Sequence, residues 1–244
     1  MDLRLIDSLH WVTDGLVRWT QDRVGAETLQ RHIAEVLDTY RVDCVIDVGA
    51  HIGQTGRLFR QIGYRGRIES FEPVAENYAT LLKRSQFYSN WHVHPIALGD
   101  ESTVVEVNVP RTTQFASLLT TSQFSADYYQ SHSEVVKTQP VTMRRLDSIP
   151  IQGERIYLKI DTQGSDLRVI AGASGIMNRV VAIQTELSVT AIYNGMPDYV
   201  CALSSIRDLG FEVSGIYTAD RVKQSLKVVE MDCVLVRKSF QDFK

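Results

Sequence analysis

Apolar positions along this chain follow two rhythms, and the change comes near residue 40. Before it, Leu5, Ile6, Leu9, Trp11, Val12, Leu16, Val17 and Trp19 recur near helical spacing. Ile33, Val36, Leu37 and Tyr40 share one face of a second run, so residues 1–40 read as helix. From Asp43 onward short apolar runs alternate with amphipathic stretches. The pattern predicts strands over 43–48, 67–72, 92–98, 156–161 and 180–186, and helices near 54–63, 75–86, 165–171 and 198–209. Such alternation means βαβ units and a parallel sheet.

The alternation breaks at 103–140. Val104 to Val109 reads as a strand, but a polar stretch follows Pro110, with Arg111-Thr112-Thr113-Gln114, Ser117, Thr120-Thr121-Ser122 and then Tyr128-Tyr129 and His132. Polar insertions of this length act as functional loops or lids in compact domains. Val141 to Leu146 resumes the strand pattern. Phe211 to Tyr217 and Met231 to Arg237 end the chain as two strands with no helical pattern between them, which predicts antiparallel neighbours. The expected organisation is an N-terminal helical extension over 1–40 and one α/β domain over 41–244, carrying an inserted loop region at about 103–140.

Composition narrows the function classes. The chain has 244 residues, 44% hydrophobic and 23% charged, with a net charge of −3. That size supports a core without disulfides. The charge balance leaves no footprint for nucleic acid or an anionic membrane. Cys44, Cys201 and Cys233 are far apart and form no C-x-x-C pair, so neither a zinc site nor a disulfide framework is expected. The N-terminus lacks the basic start and apolar run of a signal peptide. No run approaches the ~18 apolar residues of a membrane span. The expected setting is reducing and cytoplasmic.

The most informative stretch is Val45-Ile46-Asp47-Val48-Gly49-Ala50-His51-Ile52-Gly53-Gln54, a buried strand running into a glycine-punctuated turn and a helix. Open α/β sheets build nucleotide crevices from such units, at the carboxyl ends of their strands. A dinucleotide turn would carry G-x-G-x-x-G, whose second glycine admits a pyrophosphate. Here the spacing is Gly49-x-x-x-Gly53-x-x-Gly56, and His51 stands where that second glycine would be. Asp47 at the strand end would repel a phosphate and favour a cation. S-adenosylmethionine, with no phosphate and a positive methionine end, fits the turn better. Glu72, before Pro73 and about 20 residues after the turn, has the offset expected of a ribose-binding carboxylate. Asp100, in Leu98-Gly99-Asp100 after the third strand, is placed to reach the adenine end or to serve as a turn residue.

Lys159 and Asp161 share one face of the strand Tyr157-Leu158-Lys159-Ile160-Asp161. Asp161 falls at the carboxyl end beside the crevice, whereas a buried lysine needs a partner or a cavity. Glu186 ends the following strand. The candidate catalytic residues are therefore Asp161, Glu186 and Lys159. Two carboxylates at adjacent strand ends can bind substrate hydroxyls, act as a base or share a divalent ion. His92-x-His94 lacks further ligands for zinc, and no metal site is expected. A divalent cation is permitted by the paired carboxylates but not called for by them.

Taken together, these residues resemble the FkbM-type family of S-adenosylmethionine-dependent methyltransferases over about 43–237. The resemblance rests on Val45-Ile46-Asp47-Val48-Gly49-Ala50-x-x-Gly53, Ser70-Phe71-Glu72-Pro73, Ala97-Leu98-Gly99-Asp100, Leu158-Lys159-Ile160-Asp161-x-x-Gly164, Ile192-Tyr193-x-Gly195, Leu209-Gly210-Phe211 and Glu230-x-Asp232. The chain departs from it at His51, Gln163 and Asp166, where the family commonly carries asparagine, glutamate and glutamate. The resemblance implies the class I methyltransferase Rossmann-like fold, a seven-stranded, mostly parallel sheet with an antiparallel last strand, flanked by helices. It implies a cofactor site drawing on Asp47, Gly49, Ala50, His51, Gly53, Gln54, Glu72, Pro73, Leu98, Gly99, Asp100 and Asp161. The implied reaction is O-methylation of a hydroxyl on a sugar, polyketide or other small natural product. A small-molecule or glycan acceptor is thus expected, with no nucleic acid or membrane partner, and the N-terminal helices leave room for a homo-oligomer. Two rival readings are an NAD-dependent oxidoreductase and a non-catalytic methyltransferase-like binding protein.

Overall fold

In the computed structural model, which describes residues 28–238, the strand expected at the centre of the molecule is the most enclosed. All five residues of β1, Cys44–Val48, are buried. A run apolar at every position but Asp47 predicts that for a strand covered on both faces. β1 pairs in parallel with β2, Arg67–Phe71, on one side and with β7, Ile156–Ile160, on the other. β3, Trp91–His94, lies beyond β2, while β8, Val180–Ser188, β10, Val228–Arg237, and β9, Phe211–Arg221, follow β7. The seven-stranded sheet has the order β3-β2-β1-β7-β8-β10-β9. β10 is antiparallel to both its neighbours, as expected for the last strand. Strand order reverses between β1 and β7, and the crevice at such a switch point is where open α/β sheets bind ligands.

Alternation along β1 sorts the core into two layers. Val45 joins Ile33, Val36, Leu37, Phe59, Leu81 and Trp91. These come from α1 (28–39), α2, Gln54–Gln61, α3, Ala75–Ser85, and β3. Cys44, Ile46 and Val48 face the opposite layer, with Val169, Ile170, Ala202 and Ile206 from α5, Asp166–Gly172, and α6, Tyr199–Asp208. Phe59, fully buried, meets Tyr157 edge-on with ring centroids 5.6 Å apart. Emptying such a site by truncation to alanine costs about 3–5 kcal/mol. The helical face of Ile33, Val36 and Leu37 is thus spent on packing. The helical run from Leu5 to Trp19 lies outside the described residues.

Two expectations need correction. The single strand expected over 92–98 breaks at Pro95, which has no N–H to donate to a ladder. Its second half, β4 (Ala97–Leu98), leaves the main sheet and pairs with β6, Val135–Arg144. The region over 103–140 opens on a strand as expected, β5, Thr103–Pro110, but the strand expected from Val141 begins six residues earlier, since β6 starts at Val135 and pairs antiparallel with β5. β4, β6 and β5 form a separate three-stranded sheet. The irregular part shrinks to 111–134, which holds a 3-10 turn, Thr113–Phe115, and α4, Gln123–Tyr129. Among the described residues no helix is long and apolar enough to cross a membrane.

Candidate active site

The turn after β1 is shaped by contact with the end of β7. Gly49 has φ +75°, and a Cβ there would lie 1.9 Å from the Asp161 carbonyl oxygen. Conformation and close approach both require glycine. The backbone N–H groups of Gly49 and Ala50 both donate to the Phe71 carbonyl, which ties the turn to β2. Gly53, φ +87°, is the N-cap of α2. Between them His51 adopts φ 50°, and its backbone N–H donates to Glu72 Oε2 at 2.8 Å.

Glu72 is buried at the end of β2. Besides His51 it accepts from the backbone N–H of Val74 at 2.9 Å and from Asn77 Nδ2 at 3.4 Å, both on Oε1. Burial pushes its carboxyl up to about 7, although these hydrogen bonds oppose the shift. The His51 ring is held by Gln54 Nε2 at Nδ1 and by Thr113 Oγ1 at Nε2, each 3.0 Å away. Burial, opposed by the Gln54 hydrogen bond, lowers its pKa and keeps it neutral.

Above these strand ends lies a cavity with an empty volume of about 610 Å3 counted to its open mouth. Phe71, Val74, Ile96, Leu98 and Leu118 give it apolar walls, and Glu72 and Asp161 face it from two strand ends. Ser165 Oγ, on the same wall, is buried and has no hydrogen-bond partner among the described residues. An orphaned hydroxyl of this kind calls for a ligand or water.

The far edge of the cavity is a carboxylate cluster organised by one lysine. Lys159 Nζ donates to Asp161 Oδ2 at 3.0 Å and lies 3.9 Å from Asp47 Oδ1. Asp47 is fully buried and among the described residues accepts only from Ser70 Oγ, at 3.2 Å. At 3.9 Å the lysine gives Asp47 no hydrogen bond, and burial raises the Asp47 pKa despite it. For Asp161 the balance goes the other way. Burial would raise its pKa, but the Lys159 ammonium and the hydrogen bond from Gln163 Nε2, at 2.8 Å, outweigh burial and hold the carboxyl below its ordinary range. The lysine in turn is held above its ordinary range, because Asp161 and Asp47 outweigh its own burial. Gln163 also donates to Glu186 Oε2 at 3.4 Å and accepts from the Tyr193 hydroxyl at 2.8 Å.

Of the residues expected at the site, Gly49, His51, Glu72, Pro73, Leu98 and Asp161 line one cavity. Asp47, Ala50, Gly53, Gln54 and Lys159 stand behind that lining and hold the turn or the charges. Asp100 is not part of that lining, and Arg168 Nε donates to its Oδ1 at 2.8 Å. Gly99 is small for packing, since a Cβ there would meet Met143 Sδ at 2.4 Å. Glu186 borders a separate crevice of about 350 Å3, with Leu167, Tyr199 and Ile206. It reaches the cavity only through Gln163. Asn77, Thr113, Ser117 and Ser165 were not expected at the site, and only the polarity of 111–122 hinted at Thr113 and Ser117. Among the described residues no group of three or more His, Cys, Asp or Glu side chains is placed to hold a metal.

Three solved structures give the range of similarity in chain path. The magnesium protoporphyrin IX methyltransferase of Synechocystis PCC 6803 is 9% identical, with 88% of this chain and 81% of that one covered and a TM-score of 0.48. For Aeropyrum pernix fibrillarin the values are 13%, 80%, 66% and 0.44. For an rRNA methylase of Streptococcus thermophilus they are 10%, 86%, 94% and 0.45. No curated protein matches the sequence. The family described as the methyltransferase FkbM domain matches residues 47–213. That match runs from the Asp47 turn through Glu72, the Lys159–Asp161 pair and Glu186, and the chain belongs to the FkbM methyltransferase domain family.

Proposed function

We propose that this protein transfers a methyl group from S-adenosylmethionine to a hydroxyl of a sugar, polyketide or other small natural product. The observation that carries the reading is Glu72, a buried carboxylate at the second strand end, facing the cavity and held there by three donors. Such a group suits the two hydroxyls of a ribose. The fit extends to the orphaned Ser165 hydroxyl on the same wall. When bound, the cofactor supplies a sulfonium methyl already activated for displacement, so alignment supplies much of the rate. Asp161 would receive the acceptor hydroxyl. Its carboxylate stays ionised beside Lys159, which makes it a strong hydrogen-bond acceptor and a weak base. Asp161 would hold the acceptor hydroxyl proton in its hydrogen bond and pass it on to solvent as the methyl is transferred, the cofactor's sulfur leaving as the thioether. The released thioether is neutral, which balances the charge.

Isothermal titration with S-adenosylhomocysteine tests the cofactor half. Binding is expected in the natural chain, with a loss of about tenfold or more in Glu72→Ala, the cost of removing a charged hydrogen-bond partner. No binding to the natural chain would overturn the reading. Labelled S-adenosylmethionine incubated with fractionated extract tests the acceptor half, and label in a neutral hydroxylated small molecule is the expected outcome.

A further inference from the structure

The hydrogen bonds around Glu72 close into a ring, and one member comes from outside the main sheet. Glu72 Oε2 accepts from the His51 backbone. The His51 ring meets Thr113 Oγ1 at Nε2, Thr113 donates to Asn77 Oδ1 at 2.9 Å, and Asn77 Nδ2 donates to Glu72 Oε1. A threonine hydroxyl has one proton. Because that proton goes to Asn77, Thr113 must accept from His51 Nε2–H. Nδ1 is then the bare nitrogen, which is what the Gln54 amide donates to. Every donor in the ring has one acceptor, and only the neutral Nε2–H form of His51 satisfies it.

Thr113 therefore holds two of the three groups that hold Glu72, without touching Glu72 itself. It opens the 3-10 turn at the start of 111–134. The same turn region has a second anchor at Ser117, whose hydroxyl donates to the Gln163 carbonyl at 2.7 Å. Between the two anchors, Gln114 and Ala116 face the cavity. The segment is a strap fixed at one end to the Glu72 ring and at the other to the turn after Asp161.

We propose that Thr113 is a positioning residue for the cofactor site: it latches the 113–117 strap to the Glu72 ring, so that ligand entry and exit require the latch to open. This rests on the reading of the cavity as the S-adenosylmethionine site.

Surface plasmon resonance with S-adenosylhomocysteine separates the latch from simple packing. Thr113→Val keeps the shape and removes the hydroxyl. It is expected to raise the dissociation rate constant by about tenfold, the scale of one buried hydrogen bond. The association rate constant is expected to rise as well, because an unlatched strap obstructs entry less. Thr113→Ser restores the hydroxyl and is expected to return both constants to those of the natural chain. If Thr113→Val matches the natural chain in both constants, or changes only thermal stability, the latch is overturned. It is also overturned if Thr113→Ser behaves like Thr113→Val. Absence of binding in the natural chain would instead overturn the cofactor reading on which the latch rests.

Discussion

Asp161 and Glu186 follow the same design up to a point and then diverge. Each stands at the carboxyl end of a parallel strand, β7 and β8 are neighbours, and both carboxylates accept from the Gln163 amide. Asp161 has in addition the Lys159 ammonium at 3.0 Å. Among the described residues no cation pairs with Glu186, and the pull of Lys159 on it is outweighed. Burial raises its pKa, and the negative charges of Asp161, Glu230 and Asp232 raise it further. One carboxyl is held below its ordinary range and the other above it. The strand end determines that each can reach the crevice region. The residue two positions back determines the charge: at 159 it is a lysine, and at 184 it is a glutamine that donates to Asp232 instead. Two identical functional groups at equivalent positions thus have opposite shifts, one toward the anion and one toward the acid form beside an apolar crevice.

The strongest way to break this difference is Lys159→Met. It leaves Asp161 and the fully buried Asp47 without a cation, and removing one partner of a buried ion pair costs about 3–5 kcal/mol. Urea unfolding at neutral pH should show that loss. The deficit should shrink toward pH 4. With the lysine present, Asp161 is held below its ordinary range, so its contribution persists down through that range and is lost only as pH falls past its folded value. Without the lysine, burial holds both carboxyls high, and protonating them at low pH relieves the unpaired charge. A deficit equal at pH 4 and pH 7 would mean that the lysine acts through packing alone.

Asp161→Asn tests the same contrast at the level of reaction. The amide preserves shape and removes the anion that receives the acceptor hydroxyl. Methyl transfer to whichever acceptor fraction supports turnover should fall about 100-fold or more, the usual span for a positioned acid–base group. S-adenosylhomocysteine binding should change far less, since Glu72 is untouched. An equal loss in binding and turnover would move Asp161 into the cofactor half of the site.

What could be read in the sequence follows from how far each interaction reaches along the chain. Gly49, Glu72 and Asp161 were legible because each ends a strand, and strand ends of an open α/β sheet converge on one crevice. The seven-stranded sheet was legible for the same reason, through its alternation of apolar runs and helical faces. The break at Pro95 was signalled by a residue without an N–H, but the partner of the freed strand was not: Ala97 and Leu98 pair with Met143 and Arg144, far along the chain. Asp100 could be read either way, as an adenine ligand or a turn residue, because nothing nearby showed that Arg168 would pair with it. Thr113 and Asn77 were invisible as site residues. Their roles come from hydrogen bonds to His51 and Glu72 that only the folded strap brings into reach, and a lone threonine in a polar stretch carries no periodicity. Glu186 was placed correctly at a strand end, but the turn at Gln163 and Gly164, which puts it beside a different crevice, left no mark on the apolar pattern.

The smallest effect is expected at the other member of the pair. Glu186→Gln replaces a neutral acid by a neutral amide of the same shape, so at pH 5 and below unfolding should change by no more than about 0.5 kcal/mol. Methyl transfer should stay within about threefold, whereas Asp161→Asn is expected to lose far more. The two proteins should then part as pH rises. In the natural chain Glu186 is raised in the folded state, so the stability it contributes is full below its ordinary unfolded value and is lost progressively as pH climbs through the folded one. The glutamine has nothing to ionise. Glu186→Gln should therefore grow more stable than the natural chain between pH 5 and pH 9, read as a widening gap in urea midpoint. A gap that stays flat over that range would place an ionised carboxylate at 186, and the contrast with Asp161 would disappear. The widening gap would instead locate the neutral member of the pair at the end of β8, beside the crevice formed with Leu167 and Ile206. There it can donate a hydrogen bond to an acceptor but cannot take a proton from one.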